Sequence, residues 1–150
     1  MVSDTITIYR AEYLSNLSNC IMNWLQKIDQ NKKWYYIFKS YHDSYIYLND
    51  IILSGNSLTL RCSLTLNLNK LPSKWINKSF NSVSFNIKVL HVTSAPLLGV
   101  RYTSKCKVTI CGDIPERRIC LVDGDDKTII EAWCKNIILS DIEGCYIDPI

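Results

Sequence analysis

Residues 58–69 read LTLRCSLTLNLN, in which Leu58, Leu60, Cys62, Leu64, Leu66 and Leu68 alternate without a break against Thr59, Arg61, Ser63, Thr65, Asn67 and Asn69. Successive Cβ atoms of an extended chain point to opposite sides, so this period of two places every apolar side chain on one face of a half-buried strand. At about 3.3 Å per residue the stretch would run roughly 40 Å, past the usual strand length, which predicts that it spans a whole sheet and bends at a bulge. Such a strand is unstable alone. It requires paired neighbours and a second layer over its leucine face.

The flanking sequence supplies both. Ser54-Gly55-Asn56-Ser57 is a turn leading into the stretch. Residues 45–53 and 34–38 are rich in aromatic and β-branched side chains, the composition of strands, with His42-Asp43-Ser44 as the turn between them. Further upstream the period changes. Leu17, Cys20, Ile21, Trp24, Leu25 and Ile28 form a stripe at helical spacing, which predicts an amphipathic helix capped by Ser15 or Asn16, ending near 29–31 and covering the sheet. A short strand over 5–9 precedes it. Downstream, Val83, Phe85, Ile87 and Val89 predict a strand over 82–92, and Ala95-Pro96 with Gly99 mark a turn before another over 100–110. Residues 118–122 and 128–134 flank Asp123-Gly124-Asp125-Asp126 as a hairpin. Residues 136–150 carry Ile137-Ile138-Leu139 and then acidic side chains, a pattern that assigns no element. The fold class that follows is α+β: a single β-rich domain over 1–150, mostly antiparallel sheet or sandwich, covered by one N-terminal amphipathic helix.

A hydrophobic share of 47% and a charged share of 21% over 150 residues point away from disorder and towards one sizeable core. The first residues carry Asp4, Arg10 and Glu12 with no apolar core, and no apolar run reaches the roughly eighteen residues of a span, so neither a signal peptide nor a transmembrane segment is expected. Seven cysteines form an odd set with no C-x-x-C pair and fall mostly at apolar-periodic positions, which reads as reduced core thiols in a cytosolic protein. The sequons at Asn16 and Asn77 then carry no meaning. The net charge of +3 conceals an asymmetry: residues 1–110 carry thirteen Lys/Arg against five Asp/Glu, whereas 111–150 carry four against nine. A basic body with an acidic C-terminal segment attracts anionic partners and can pair with copies of itself.

Motifs for phosphate cradles, dinucleotides, nucleophile elbows and zinc proteases are absent. His42 beside Asp43, and His91, lie in no charged or glycine-rich constellation, and both read as surface or turn residues. Asp123, Asp125 and Asp126 resemble half a calcium loop without its remaining ligands, so a turn is the better reading. Cys106, Cys111 and Cys120 are irregularly spaced for a metal. No enzyme, metal or cofactor is expected.

Two surfaces stand out instead. Residues 70–81, KLPSKWINKSFN, set Lys70, Lys74 and Lys78 around Trp75 and Ile76, which suits a lipid headgroup layer or a neighbouring subunit, unless the tryptophan folds back on its own domain. The polar face of 100–110 carries Arg101, Lys105 and Lys107 among threonines, a basic stripe able to hold phosphates of RNA or lipid, or an ordinary solvated face.

From Ile6 to Ile110 the order of elements resembles the globular domain of rhabdovirus matrix proteins, most closely in Ile21-Met22-Asn23-Trp24 and in Lys33-Trp34-Tyr35-Tyr36-Ile37-Phe38, with weaker echoes in Arg61 to Pro72 and in Phe85-Asn86-Ile87. The resemblance is one of pattern over about two thirds of the chain, and shorter plant-infecting members are the nearer comparison. It implies a viral structural protein that self-associates and bridges an anionic membrane surface and the viral nucleocapsid or RNA, with no small-molecule substrate. Its place would be the host cytoplasm, the inner membrane face or the virion. The chain departs from the family in having no long basic N-terminal arm and no P-P-x-Y motif; Thr93-Ser94-Ala95-Pro96 approaches P-[ST]-A-P but begins with threonine. A rival resemblance lies in residues 105–134, which are similar to the first three strands of an OB-fold and imply a nucleic-acid-binding barrel.

Overall fold

The alternation at 58–69 becomes strand β2, Ser57–Thr65, with Leu58, Leu60, Cys62 and Leu64 buried on its inner face. A computed structural model describes residues 24–38, 45–66, 71–94, 104–113 and 115–148. Around β2 stand β1 (Tyr45–Ser54), β3 (Ser82–Leu90), β4 (Ser104–Asp113), β5 (Glu116–Val122), β6 (Thr128–Cys134) and β7 (Asn136–Cys145). They form one antiparallel sheet in the order β6-β5-β4-β1-β2-β3-β7.

The ends of that order are successive pieces of chain, since only Lys135 separates β6 from β7. The sheet must therefore roll until its edges meet. Past Leu90 the chain passes through His91, whose φ of 56° re-aims the backbone, and then pairs with β6. Thr93 N–H donates to the Trp133 carbonyl and Trp133 N–H to that of Ser94, each at 2.8 Å. These bonds join the ends of the order and close the sheet into an antiparallel barrel. Its interior is filled by Ile46, Leu60, Ile87, Val108, Leu121 and Ile130 among others, all nearly inaccessible.

One end is plugged by aromatic rings. Trp24 and Leu25 of the 3-10 turn Trp24–Lys27, and Trp34 and Phe38 of helix α1 (Lys32–Phe38), are buried there. Trp24 stacks on Phe85 with centroids 6.0 Å apart, and Trp34 meets Phe85 edge-on at 5.2 Å and Phe38 at 4.6 Å. Such pairs contribute about 0.5–1.5 kcal/mol each beyond the area they bury.

The α+β expectation holds as a β-rich antiparallel sheet with little helix. The helix expected over 17–28 lies outside the described residues apart from its last turn, and the strand over 5–9 lies outside them entirely. Residues 34–38, expected as a strand, are helical. Trp34 and Phe38 are four apart and both buried while Tyr36 faces solvent, so the stretch follows the helical period despite its β-like composition. Residues 136–145, unassigned from sequence, form β7.

Cysteine usage also departs from expectation. Cys62, Cys106, Cys120, Cys134 and Cys145 are free thiols, but Cys111 is disulfide-bonded, and Cys20 falls outside the described residues. Cys111 has the opposite parity to Val108 and Ile110, so it points out of the barrel rather than into the core.

Candidate nucleic-acid interface

The polar stripe expected on 100–110 is carried by β4, where Lys105 and Lys107 are exposed and the intervening Cys106 is buried. Arg101 lies outside the described residues. What the stripe faces is decided by β1. Tyr45 pairs with Lys107 and Tyr47 with Lys105, while Ile46 and Cys106 meet beneath them in the core. Directly opposed residues of an antiparallel pair share a face, so the outer surface is a checkerboard of two tyrosines and two lysines. Tyr45 is 48% exposed and Tyr47 38%. The Lys105 ammonium sits 5.3 Å from the centre of the Tyr45 ring, a cation–π contact that orients both.

Tyr45 and Tyr47 are two residues apart on one strand, so their Cα atoms are about 6.6 Å from each other. On the next strand Ser63 stands opposite Tyr47 and is buried, accepting a hydrogen bond from Asn49 Nδ2 at 3.0 Å. The residue skipped in the pairing of β1 with β2 is Asn49, and this bulge brings Asp50 opposite Arg61, with 4.0 Å between their charged ends. Arg61 and Asp50 thus border the surface beyond Tyr47 as an ion pair. On the far side Val122 stands opposite Lys107, and the acidic turn follows it. In that turn Asp123 Oδ1 accepts from the N–H groups of Asp125 and Lys127 at 2.9 and 3.0 Å, as a turn-forming side chain does.

A second aromatic-cationic pair lies on the same outer face. Trp133, 40% exposed, carries the Arg118 guanidinium 6.0 Å from its ring centre, and Arg118 is also bonded to Glu131 at 2.8 Å. The register Trp133–Arg118–Cys111 sets Trp133 three strand spacings, about 14 Å, and Arg118 two, about 10 Å, across the sheet from Tyr45, both four residues, about 13 Å, along it.

The loop singled out for its lysines folds differently from a free apolar spike. Residues Ser73–Ile76 form a short helix, α2, and Trp75 is half-buried, edge-on to Phe38 at 5.5 Å and to Phe80 at 6.3 Å. The folded-back alternative describes that ring. Ile76, 52% exposed, is left beside the exposed Lys74 and Lys78, and Lys70 lies outside the described residues.

Of the groups considered for chemistry, His42 lies outside the described residues and His91 occupies the exposed bulge after β3. Burial pushes the Cys106 and Cys134 thiols up to about 11, so neither is a nucleophile near neutral pH. Among the described residues no group of three His, Cys, Asp or Glu side chains could hold a metal ion, and no helix is long and apolar enough to cross a membrane. Sequence reasoning found Lys105 and Lys107 but missed Tyr45 and Tyr47. Their signal was present: in 45–48 the aromatic residues occupy the parity opposite to Ile46 and Leu48, which is the solvent side. No family model, curated protein or solved structure matches this chain.

Proposed function

We propose that this chain is a non-enzymatic β-barrel that binds single-stranded nucleic acid on the outer face of β1 and β4. The observation that carries this reading is the checkerboard of Tyr45, Tyr47, Lys105 and Lys107. Exposed rings stack unpaired bases without regard to sequence, at about 1–3 kcal/mol per base, while the lysines beside them meet the phosphates. Duplex does not suit the surface, because its bases are stacked on one another and present no free face to a ring.

Fluorescence anisotropy with a labelled single strand of about twelve nucleotides tests it. Tyr45→Ala with Tyr47→Ala is expected to weaken binding at least tenfold. Lys105→Glu with Lys107→Glu is expected to do likewise and to lower the salt slope by about 1.4, the share of two phosphate contacts on a single strand. Unchanged affinity in both double variants removes the interface.

A second reading, a matrix-like structural protein that self-associates and touches an anionic bilayer, is favoured by one observation: Ile76 is exposed, as are Lys74 and Lys78 two residues to either side of it in the chain. It retains the nucleic-acid partner and adds a membrane. Flotation with anionic liposomes that Ile76→Asp with Lys74→Glu abolishes would support it, each cation contributing about 1 kcal/mol at such a surface. Trp75 is the wrong residue to change in that test, since its ring is part of the packing.

A further inference from the structure

Where the barrel closes, a pocket of about 410 Å³ opens between Trp133 on β6, Thr93 and Ser94 on the paired segment after β3, Glu116 and Arg117 at the start of β5, and Lys135. Its size lies at the lower end of the range of about 300–1,000 Å³ that ligand pockets span, enough for one small ligand and no more.

The chemistry of the lining is mixed in a particular way. Trp133 offers an aromatic surface, and its position in β6 puts β5 with Arg118 on one flank and Thr93-Ser94 on the other, the pocket being lined from both. The cation on the first flank polarises the ring and holds it in place. Lys135 and Glu116 are exposed, and neither belongs to an ion pair among the described residues. Arg117 is different, because its guanidinium is committed to Asp29 at 2.6 Å and serves as wall rather than as hand. The pocket thus joins an aromatic platform, an ammonium and a carboxylate that are unpaired among the described residues, and the hydroxyls of Ser94 and of Thr93, the latter already donating to the Trp133 carbonyl at 3.3 Å.

We infer that this pocket binds a single nucleotide, its base against the Trp133 indole, a base N–H donating to the Glu116 carboxylate, and its phosphate on the Lys135 ammonium. A planar ring, a donor edge and an anion are the three features the lining can recognise together, and a nucleotide carries all of them. The nucleotide is either free in solution or the terminal one of a strand lying on β1 and β4; the second case rests on the function proposed above, and the first does not.

Calorimetric titration of the full chain with nucleoside 5′-monophosphates tests the free form. Saturable binding is expected, weakened about tenfold by Trp133→Ala and by Lys135→Glu, little changed by Trp133→Phe, and unaffected by Tyr45→Ala with Tyr47→Ala. The strand-end form is tested with a single strand of about twelve nucleotides, intact or lacking its terminal base at either end. If monophosphates do not bind, a loss of about tenfold on removing a terminal base, absent in Trp133→Ala, supports the pocket as the seat of the strand's own end. No monophosphate binding together with equal affinity for intact and abasic strands overturns the pocket, whether or not the strand still binds through Tyr45 and Tyr47. Monophosphate binding with no strand binding upholds the pocket and overturns the interface on β1 and β4.

Discussion

Asp29 and Arg117 meet at 2.6 Å with side chains 14% and 10% exposed, and the same two residues tie distant parts of the chain together. Asp29 Oδ2 accepts from the N–H of Ile137, Asp29 N–H donates to the Ile137 carbonyl, and Arg117 Nη1 donates to the carbonyl of Lys27. The pair thus fastens the segment before α1 to both β5 and β7. Burying two charges costs nearly what their attraction returns, but removing one of them strands the other. Asp29→Asn is expected to destabilise the protein by about 3–5 kcal/mol in urea unfolding, and Asp29→Leu with Arg117→Met to recover more than half of that loss. A loss below about 1 kcal/mol for the single variant would mean the pair is solvated. Gly144 raises a packing question at the same scale. A Cβ there would lie 2.5 Å from the Phe80 ring and 2.9 Å from that of Trp75, so the glycine is what lets both rings lie against β7. Gly144→Val is expected to cost about 1–3 kcal/mol and to alter the near-ultraviolet dichroism of the displaced tryptophan. An unperturbed spectrum and unfolding midpoint would show that the rings do not pack there.

Among the elements, unbroken alternation made β2 and β3 legible in the sequence and β-rich composition made β1 so despite its bulge at Asn49, whereas β7 and α1 were not legible. β2 and β3 alternate without interruption and were found within a few residues of their ends, as was the hairpin of β5 and β6, whose Asp-Gly turn is a local signal. β7 was missed because its alternation breaks. Ile137 and Leu139 face inward, then Asp141 takes a φ of 54° as an inserted residue, and the inward parity resumes at Ile142. The carboxylate of Asp141 holds that bulge, accepting from the Ser140 hydroxyl and the Asn86 amide, which keep its pKa below the ordinary value. α1 was misread for the opposite reason: Trp, Tyr, Ile and Phe favour strands when averaged, and only the pairing of Trp34 with Phe38 in one aromatic cluster reveals the helix. The candidate interface was half legible, since lysines announce themselves by charge whereas tyrosines announce themselves only by parity. The turn of Asp123, Asp125 and Asp126 bears on that interface as an element. It follows Val122, which stands opposite Lys107, so its carboxylates lower the potential at the β5 border of the tyrosine-lysine surface. Asp125→Asn with Asp126→Asn, which leaves the bonds to Asp123 Oδ1 intact, is expected to raise affinity for single strands about two- to fivefold at low salt, with the gain fading as the Debye length falls to about 8 Å near physiological ionic strength. A gain that persists undiminished in high salt would point to a cause other than charge.

At the scale of the whole molecule, closure of the barrel is what brings function and stability into the same frame. A rolled sheet has an inside with no water and an outside that is a continuous band of alternate residues, so each strand contributes one set of side chains to the core and the other to the outer surface. Cys106 shows the division, lying beneath the surface formed by Tyr45, Tyr47, Lys105 and Lys107, while Cys62 and Cys134 are likewise buried. Burial raises all three thiols, Cys106 and Cys134 to about 11 and Cys62 well above the ordinary value of 9.0. The folded chain therefore keeps protons that the unfolded chain releases first. The stabilisation this represents is complete below pH 9 and is lost as pH rises from there through about 11, because the unfolded state alone gains by ionising. Tyrosine and lysine titrate in the same window, so the thiol contribution has to be isolated by difference. The urea midpoint of the native chain is expected to fall more steeply between pH 9 and 11 than that of Cys106→Val with Cys134→Val, the two curves running parallel below pH 8.5 or so. Parallel curves throughout would mean that those thiols ionise as freely in the folded protein as in the unfolded chain, and a water-filled interior of that kind could not support the separation of an apolar core from a polar outer face on which the barrel depends.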